Sequence, residues 1–138
     1  MSDLDQLQDT IQRSSELSKQ GEDERALALL DDALTRAVLE NRTTWIRILS
    51  HHAAVISDSI GDLHRVRRYY EKSLASDPDN SKALYGLANA LQRQGETELA
   101  KRYATKCYQS IRDSESDLDQ ALLELVLHGW PELAQSRN

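Results

Sequence analysis

Histidine and cysteine are the side chains most characteristic of transition-metal sites, and cysteine is a strong nucleophile; this sequence has four histidines and one cysteine. They are His51, His52, His64, His128 and Cys107. Adjacent residues on a helix point in different directions, so His51 and His52 do not chelate one metal ion as a spaced pair would. Cys107 falls at a position where small side chains recur, which favours a packed thiol over a nucleophile. We therefore predict no metal site and no cofactor.

Motifs that position phosphates, nucleophiles or catalytic metals are missing from the sequence. It contains no glycine-rich phosphate loop, no Gly-x-Ser-x-Gly and no His-Glu-x-x-His. Acidic pairs such as Asp31-Asp32 fall among many solvated charges, and nothing in the pattern indicates a raised carboxyl pKa. We expect a protein that is not an enzyme.

The composition favours an all-helical domain. The chain has 138 residues, of which 39% are hydrophobic and 29% charged, as in ordinary globular proteins. Good helix formers dominate, and only two prolines and five glycines interrupt them. The length fits one domain, so we predict a single all-α domain over residues 1–138.

The net charge and the apolar content limit the classes of partner that the protein is expected to bind. The formal net charge is -6, which argues against nucleic acid as a ligand because phosphate binding needs a basic surface. Both ends of the chain are acidic, whereas residues 41–112 are mildly basic. No apolar run approaches the roughly 18 residues that span a bilayer. A single cysteine suits a reducing compartment and the acidic N-terminus lacks a secretory pattern, so we expect a cytoplasmic protein.

Three glycines divide the helical patterns into pairs. Gly21, Gly61 and Gly95 each follow one amphipathic stretch and precede another, as expected for glycine just past a helix end. Gly61 and Gly95 are 34 residues apart, whereas Gly21 and Gly61 are 40 apart. We place the six additional residues around Glu40–Thr43, between two pairs, where they could lengthen the next helix, with Thr43 or Thr44 as its N-cap.

Alignment on the glycines brings small and apolar residues into register. Small side chains lie seven residues before each glycine and again twelve residues after it. The position five residues after each glycine holds alanine or valine. Small residues where two helices cross let the backbones approach closely, which specifies a helix–turn–helix unit. These positions are Ser14, Ala54 and Ala88, then Ala26, Val66 and Ala100, and then Ala33, Ser73 and Cys107.

This pattern resembles the tetratricopeptide repeat (TPR). The third unit is clearest, with Leu84-Tyr85-Gly86-Leu87-Ala88-Asn89-Ala90-Leu91 followed by Gln94-Gly95, Ala100, Ala104 and Cys107. The second unit closes with Asp77-Pro78-Asp79-Asn80, much like the turn between repeats. The resemblance implies a right-handed solenoid of three antiparallel helix pairs, at about residues 7–40, 47–80 and 81–114, with a capping helix and tail at 115–138.

The family resemblance also implies where a partner binds. In that family the first helices of successive pairs line a concave groove that receives a peptide or helix of another protein. The matching positions are Gln8, Ile11, Gln12, Ser15 and Lys19 in the first repeat, Ile48, His51, His52, Val55 and Ser59 in the second, and Lys82, Tyr85, Gly86, Asn89, Gln92 and Arg93 in the third. Asn89 and Gln92 can hydrogen-bond a peptide backbone, and Tyr85 offers contact area at low entropic cost.

One specialised ligand is disfavoured. Family members that grip the acidic tails of heat-shock chaperones use a clamp of Lys and Asn residues. The matching positions here are Ile11, Ser15, His52, Lys82 and Gly86, of which Lys82 alone keeps that chemistry.

After Arg112 the sequence predicts a capping helix over about residues 115–128. An acidic, serine-rich start is followed by Leu118, Ala121, Leu122, Leu125 and Val126 at helical spacing. Asp119, Gln120 and Leu123 of this helix are expected to cover one end of the groove. A solenoid exposes an apolar face on its last repeat, so such a cap is physically required.

Three functions remain open from the sequence. The first is an adaptor or assembly module that binds a partner segment in the groove. The second is a scaffold that self-associates as a homo-oligomer, motivated by apolar residues expected to be exposed at Leu127, Trp130 and Leu133. The third is a sensor of a small molecule or anion that uses Lys82, His52 and Arg93.

Overall fold

The computed structural model describes residues 2–135, and within that span the chain contains helices and no strand. The helices are α1 (Asp3–Lys19), α2 (Asp23–Leu39), α3 (Thr43–Ser59), α4 (Leu63–Ser76), α5 (Ser81–Arg93), α6 (Thr97–Ile111) and α7 (Asp117–Gly129), followed by a short 3-10 helix (Pro131–Gln135). The all-α prediction is confirmed. None of the helices in the described span is long and apolar enough to cross a membrane.

The chain divides into two compact units at the turn between Asp77 and Pro78. In the first unit, α1 to α4 pack in sequence, and α1 also contacts α3. In the second unit, α5 packs on α6, and α7 contacts both of them and the 3-10 helix.

One turn geometry ends the first helix of each pair and also ends α2. Gly21, Gly61 and Gly95 have φ values of 80°, 75° and 83°, and Asn41 takes the same left-handed conformation with φ 55°. The residue after each one donates its backbone N–H to a carbonyl five residues earlier; Arg42, for example, bonds Ala37 at 2.9 Å. This pattern is the Schellman motif, which satisfies carbonyls at a helix end.

The expected lengthening of α3 occurs, whereas the expected insertion between the two helix pairs does not. The turn between α2 and α3 is as short as the turns within pairs, because Asn41 serves there as glycine does elsewhere. The added length lies in the helices instead: α2 and α3 have 17 residues each, whereas α4 and α5 have 14 and 13. Arg42 is the N-cap residue of α3 and makes no side-chain capping bond, so Thr43 and Thr44 do not have that role.

The core of the first unit is apolar with polar insertions. Leu27, Leu30 and Leu34 of α2 and Leu49 of α3 are buried, and α2 packs on both α1 and α3. Tyr69 is also buried, and its hydroxyl donates a hydrogen bond to the Asp31 carboxylate at 2.7 Å. Burial, followed by this hydrogen bond, raises the pKa of Tyr69 well above its ordinary value.

The core of the second unit consists of leucine and small residues. Leu84, Leu87 and Leu91 of α5 are buried, as are Ala100, Ala104 and Cys107 of α6. The nine aligned positions given above are buried in the structure, whereas Leu17, four residues before Gly21, and Tyr70, nine after Gly61, are half-buried although they belong to the same alignment. The nine buried positions are Ser14, Ala54, Ala88, Ala26, Val66, Ala100, Ala33, Ser73 and Cys107.

The C-terminal segment corrects the expectation of exposed apolar residues. Trp130 and Leu133 are only 5% and 3% exposed, and Leu127 is half-buried. The reason is the 3-10 helix, which packs back against α7, while its Glu132 pairs with Lys101 of α6 at 3.6 Å. The original motive for self-association at these residues therefore fails.

Candidate protein-binding surface

In the first unit, the predicted groove residues lie outside the core. Every one of them is exposed or half-buried, whereas Leu7 and Ser14 of α1 and Leu49 and Ala53 of α3 supply the buried contacts. Because α1 contacts α3, the structure brings the two helices together as neighbours. The accessible set is Gln8, Ile11, Gln12, Ser15, Lys19, Ile48, His51, His52, Val55 and Ser59.

His51 is oriented toward α4. Its Nδ1 atom lies 3.4 Å from the Tyr70 hydroxyl, and its ring centroid is 6.1 Å from that of His52 in an edge-on arrangement. Burial, followed by the charge of Asp58, raises the pKa of Tyr70 to about 12. Tyr70 therefore stays neutral at physiological pH and is available for hydrogen bonding to the imidazole. No cluster of metal-ligating side chains occurs among the residues that the structure describes.

In the second unit, one face of α5 carries all the predicted groove residues. Lys82, Tyr85, Gly86, Asn89, Gln92 and Arg93 are exposed or half-buried, and the leucines of the same helix face the core. Lys82, Tyr85 and Asn89 are three and four residues apart, so they share one stripe along the helix. The N-terminus of this helix is fixed by Asn80, whose side chain accepts a bond from the Ala83 N–H.

This stripe begins at an open groove between α5 and α7. The groove has a volume of about 370 Å³ and lies entirely within the second unit. We call it the α5–α7 groove; its lining residues are Asn80, Ser81 and Lys82 of α5 and Leu118, Asp119, Ala121, Leu122 and Leu125 of α7. The arrangement suits an apolar side chain of a bound segment, with Lys82 beside it.

The apolar face of α7 is only partly buried, which corrects the prediction that this helix serves only as a cap. Val126 is buried, but Leu118 and Leu125 are 84% and 51% exposed. Of the three residues expected to cover one end of the groove, Asp119 accepts a hydrogen bond from Ser114 Oγ at 2.7 Å, Leu123 is half-buried and Gln120 is exposed. Sequence analysis identified the apolar stripe but took it for a packing face, so it did not predict that Leu118, Leu122 and Leu125 line an open groove.

Cys107 lies beneath α5, and its thiol is buried. Its Sγ atom donates a weak hydrogen bond to the Ser81 carbonyl at 3.3 Å. Burial first, and then the charge of Asp119, raises the pKa of Cys107 to about 12. A thiol is nucleophilic only as the thiolate, so this residue contributes packing and not chemistry.

Comparison with known proteins agrees with this geometry. Residues 69–102, which run from the middle of α4 through α5 into α6, match the family model of the tetratricopeptide repeat. The chain is also similar to a solved C-terminal TPR-containing domain of an FK506-binding protein from Plasmodium falciparum. That match has a TM-score of 0.63 and covers 99% of this chain and 97% of the other, at 20% sequence identity.

The chain has the tetratricopeptide-repeat fold. The family sequence pattern is recognised across about a quarter of the chain. Among proteins with curated functions, none matches the sequence at a significant level. TPR domains generally mediate protein–protein interaction and are generally non-catalytic.

Proposed function

We propose that this TPR protein is an adaptor or assembly module that binds a peptide or helix of a partner protein along its first helices. The observation that carries the proposal is the accessible stripe of Lys82, Tyr85 and Asn89, which begins at the open α5–α7 groove. The division into three repeats, at about 7–40, 47–80 and 81–114, is part of the proposal.

The side chains of the second unit define the chemistry of the bound segment. The leucines of α7 would receive an apolar side chain, and Lys82 would favour a carboxylate next to it. Further along the stripe, Tyr85 offers a flat contact area, and the amides of Asn89 and Gln92 can pair with a peptide backbone. The partner segment should therefore be extended or helical, with one apolar anchor and an acidic neighbour.

The same chemistry favours binding over catalysis. The single cysteine is buried and its pKa is raised, and α5 presents amides and a tyrosine instead of a nucleophile with its base. We place this function in the cytoplasm, because a lone thiol suits a reducing compartment. No observation favours the small-molecule sensor, whose residues His52, Lys82 and Arg93 come from both units.

The test is capture of partners from a lysate of the native organism by two baits, the wild type and Tyr85→Ala with Asn89→Ala. We expect one or more proteins to be retained by the wild type and lost by the double variant. The affinity for an identified partner should fall at least tenfold. If both baits recover the same proteins, or neither recovers any, the proposal fails.

A matched control is available on the second helix of the same repeat. Tyr103→Ala with Gln109→Ala also removes one half-buried tyrosine and one amide, but on α6. This control should retain the partner. Circular dichroism should show the same helix content for all three proteins, and Lys82→Glu provides an exposed change on the same stripe that leaves packing untouched.

A further inference from the structure

The lengthened helices of the first unit create a second apolar surface. The last turn of α2 presents Val38 and Leu39, which are 47% and 78% exposed. They border an open cavity of about 380 Å³ between α2, α3 and α4. We call it the corner groove; its lining residues are Thr35, Val38, Leu39, Asn41, Ile46, Lys72, Ala75 and Ser76.

Arg42 follows Asn41, a lining residue of the corner groove, and makes several contacts of its own. Its guanidinium lies 4.6 Å from the centre of the Trp45 ring and pairs with Asp3 at 3.0 Å and with Glu40 at 3.3 Å. Together with the Schellman turn at Asn41, these contacts connect α1, α2 and α3 at one corner. Val38 and Leu39 are therefore presented on an ordered scaffold, and exposed apolar patches of this kind are typical of interaction sites.

Among the residues that line the corner groove, Lys72 of α4 alone is charged. Helix α4 carries four Lys or Arg residues and one acid. Arg65 is paired with Glu24 and Asp62. The side chains of Arg68 and Lys72, by contrast, make no hydrogen bond or ion pair within residues 2–135. An occupant should therefore combine apolar side chains with acidic ones.

Helix α7 has that chemistry. Leu118 and Leu125 are exposed and seven residues apart, so they lie on one face about 10 Å from each other along the helix. Residues 113–125 contain five acids and no Lys, Arg or His. Val38 with Leu39 and Leu118 with Leu125 are thus two exposed apolar pairs; the first borders a groove whose one charged lining residue is Lys72, and the second lies on an acidic helix.

We propose that α7 of one copy of this chain docks in the corner groove of a second copy. The two contacting surfaces are different, so the contact is heterologous, and each copy keeps one free groove and one free α7. This inference is independent of the proposed partner binding. It has a consequence for it, however, because a docked α7 no longer offers Leu118 and Leu125 to the α5–α7 groove.

The test is sedimentation velocity of the full chain from about 1 to about 200 µM, with Leu39→Gln and Leu118→Gln beside the wild type. Glutamine keeps helix propensity and charge, so each variant removes only the apolar contact on one of the two surfaces. We expect the wild type to associate with rising concentration, and each variant alone to associate at least tenfold more weakly.

The decisive experiment is sedimentation of a mixture of the two variants. Leu39→Gln keeps an intact α7, and Leu118→Gln keeps an intact corner groove, so an equimolar mixture should form 1:1 dimers and nothing larger. A mixture that stays monomeric overturns the proposal, as does a wild type that is monomeric throughout the range; an unrelated acidic protein would then be the candidate occupant. Leu4→Gln, another exposed leucine outside both surfaces, should associate like the wild type.

Salt and charge provide a second readout. Raising the ionic strength from about 50 to about 500 mM should weaken association severalfold, since rim charges are screened over a short distance. Lys72→Glu should weaken it at low salt and lose that effect at high salt. Association that salt and Lys72→Glu leave unchanged would contradict the assigned surfaces. Tyr85→Ala with Asn89→Ala should self-associate normally, which separates this proposal from partner binding.

Discussion

The two units of the molecule differ in the lengths of their helices and in the residues that they bury. The second unit has helices of 13 and 15 residues in its pair, and its crossing positions hold alanine, leucine and cysteine. The first unit has three helices of 17 residues and buries four serines: Ser14, Ser50, Ser57 and Ser73. The structure describes no buried serine in the second unit.

This difference indicates which part of the molecule carries an exposed apolar surface outside the repeat pattern. The family sequence pattern is recognised from residue 69, near the end of the first unit, to residue 102 in the second, and it includes all of α5. In the first unit the lengthened helices project Val38 and Leu39 beyond the regular packing. The corner groove is lined by this exposed last turn of α2 together with Lys72, Ala75 and Ser76 of α4, which lie inside the recognised pattern.

The largest expected effect comes from truncating one core leucine in each unit. Leu49→Ala and Leu87→Ala each remove a side chain that is at most 1% exposed, and should lower the free energy of unfolding by roughly 2–5 kcal/mol. The sequence contains two tryptophans, Trp45 in the first unit and Trp130 in the second. Variants with a single tryptophan therefore report denaturation of each unit by fluorescence.

We expect each leucine change to shift the transition of its own unit more than that of the other. Contacts in repeat proteins are mainly between neighbours, which makes such uneven responses natural. If a leucine change shifts the unfolding transition equally at both tryptophans, the two units unfold together and do not differ in stability. The single-tryptophan parents without the leucine changes are the controls.

A smaller effect is expected at the buried serines. The hydroxyls of Ser50 and Ser57 have no hydrogen-bond partner within residues 2–135, whereas Ser14 Oγ donates to the Ile11 carbonyl at 2.7 Å. A buried hydroxyl without a partner costs stability, so Ser57→Ala should raise the free energy of unfolding by about 1 kcal/mol. Ser14→Ala is the matched control and should not stabilise. Urea denaturation measures both, and a destabilised Ser57→Ala would contradict the polar-core description.

The smallest effect at neutral pH is expected at Tyr70. Its folded pKa is about 12, above the ordinary value of 10.0, so its contribution to stability is complete below about pH 10 and is lost as the pH rises toward 12. Tyr70→Phe should change stability little at pH 7 and should reduce the loss between pH 10 and 12. Urea denaturation followed at Trp45 measures this. An identical alkaline loss in both proteins would exclude Tyr70 as a cause.

Much of the fold could be predicted because glycine and small residues act locally. Gly21, Gly61 and Gly95 end helices through their own backbone conformation, and the aligned small positions are buried as expected. Asn41 was missed because asparagine adopts the left-handed conformation less often than glycine, so its type alone is a weak signal.

The binding surface was harder to predict because exposure depends on what covers each face. Periodicity identified the apolar stripe of α7, but not that Leu118 and Leu125 would lie open. Conversely, Trp130 and Leu133 looked exposed because a short 3-10 helix has no periodic pattern to reveal its packing. The residues carried over from the family are accessible, and their role in binding stays a prediction.

The most direct test of the central claim is site-specific photo-crosslinking in a lysate. A photoreactive amino acid replaces Asn89 on α5 in one protein and Gln109 on α6 in another, so the two probes sit on the first and second helices of one repeat. We predict that a partner crosslinks at position 89 and not at 109. Crosslinking at 109 alone, or equally at both positions, would contradict the assignment of the first helices as the binding face.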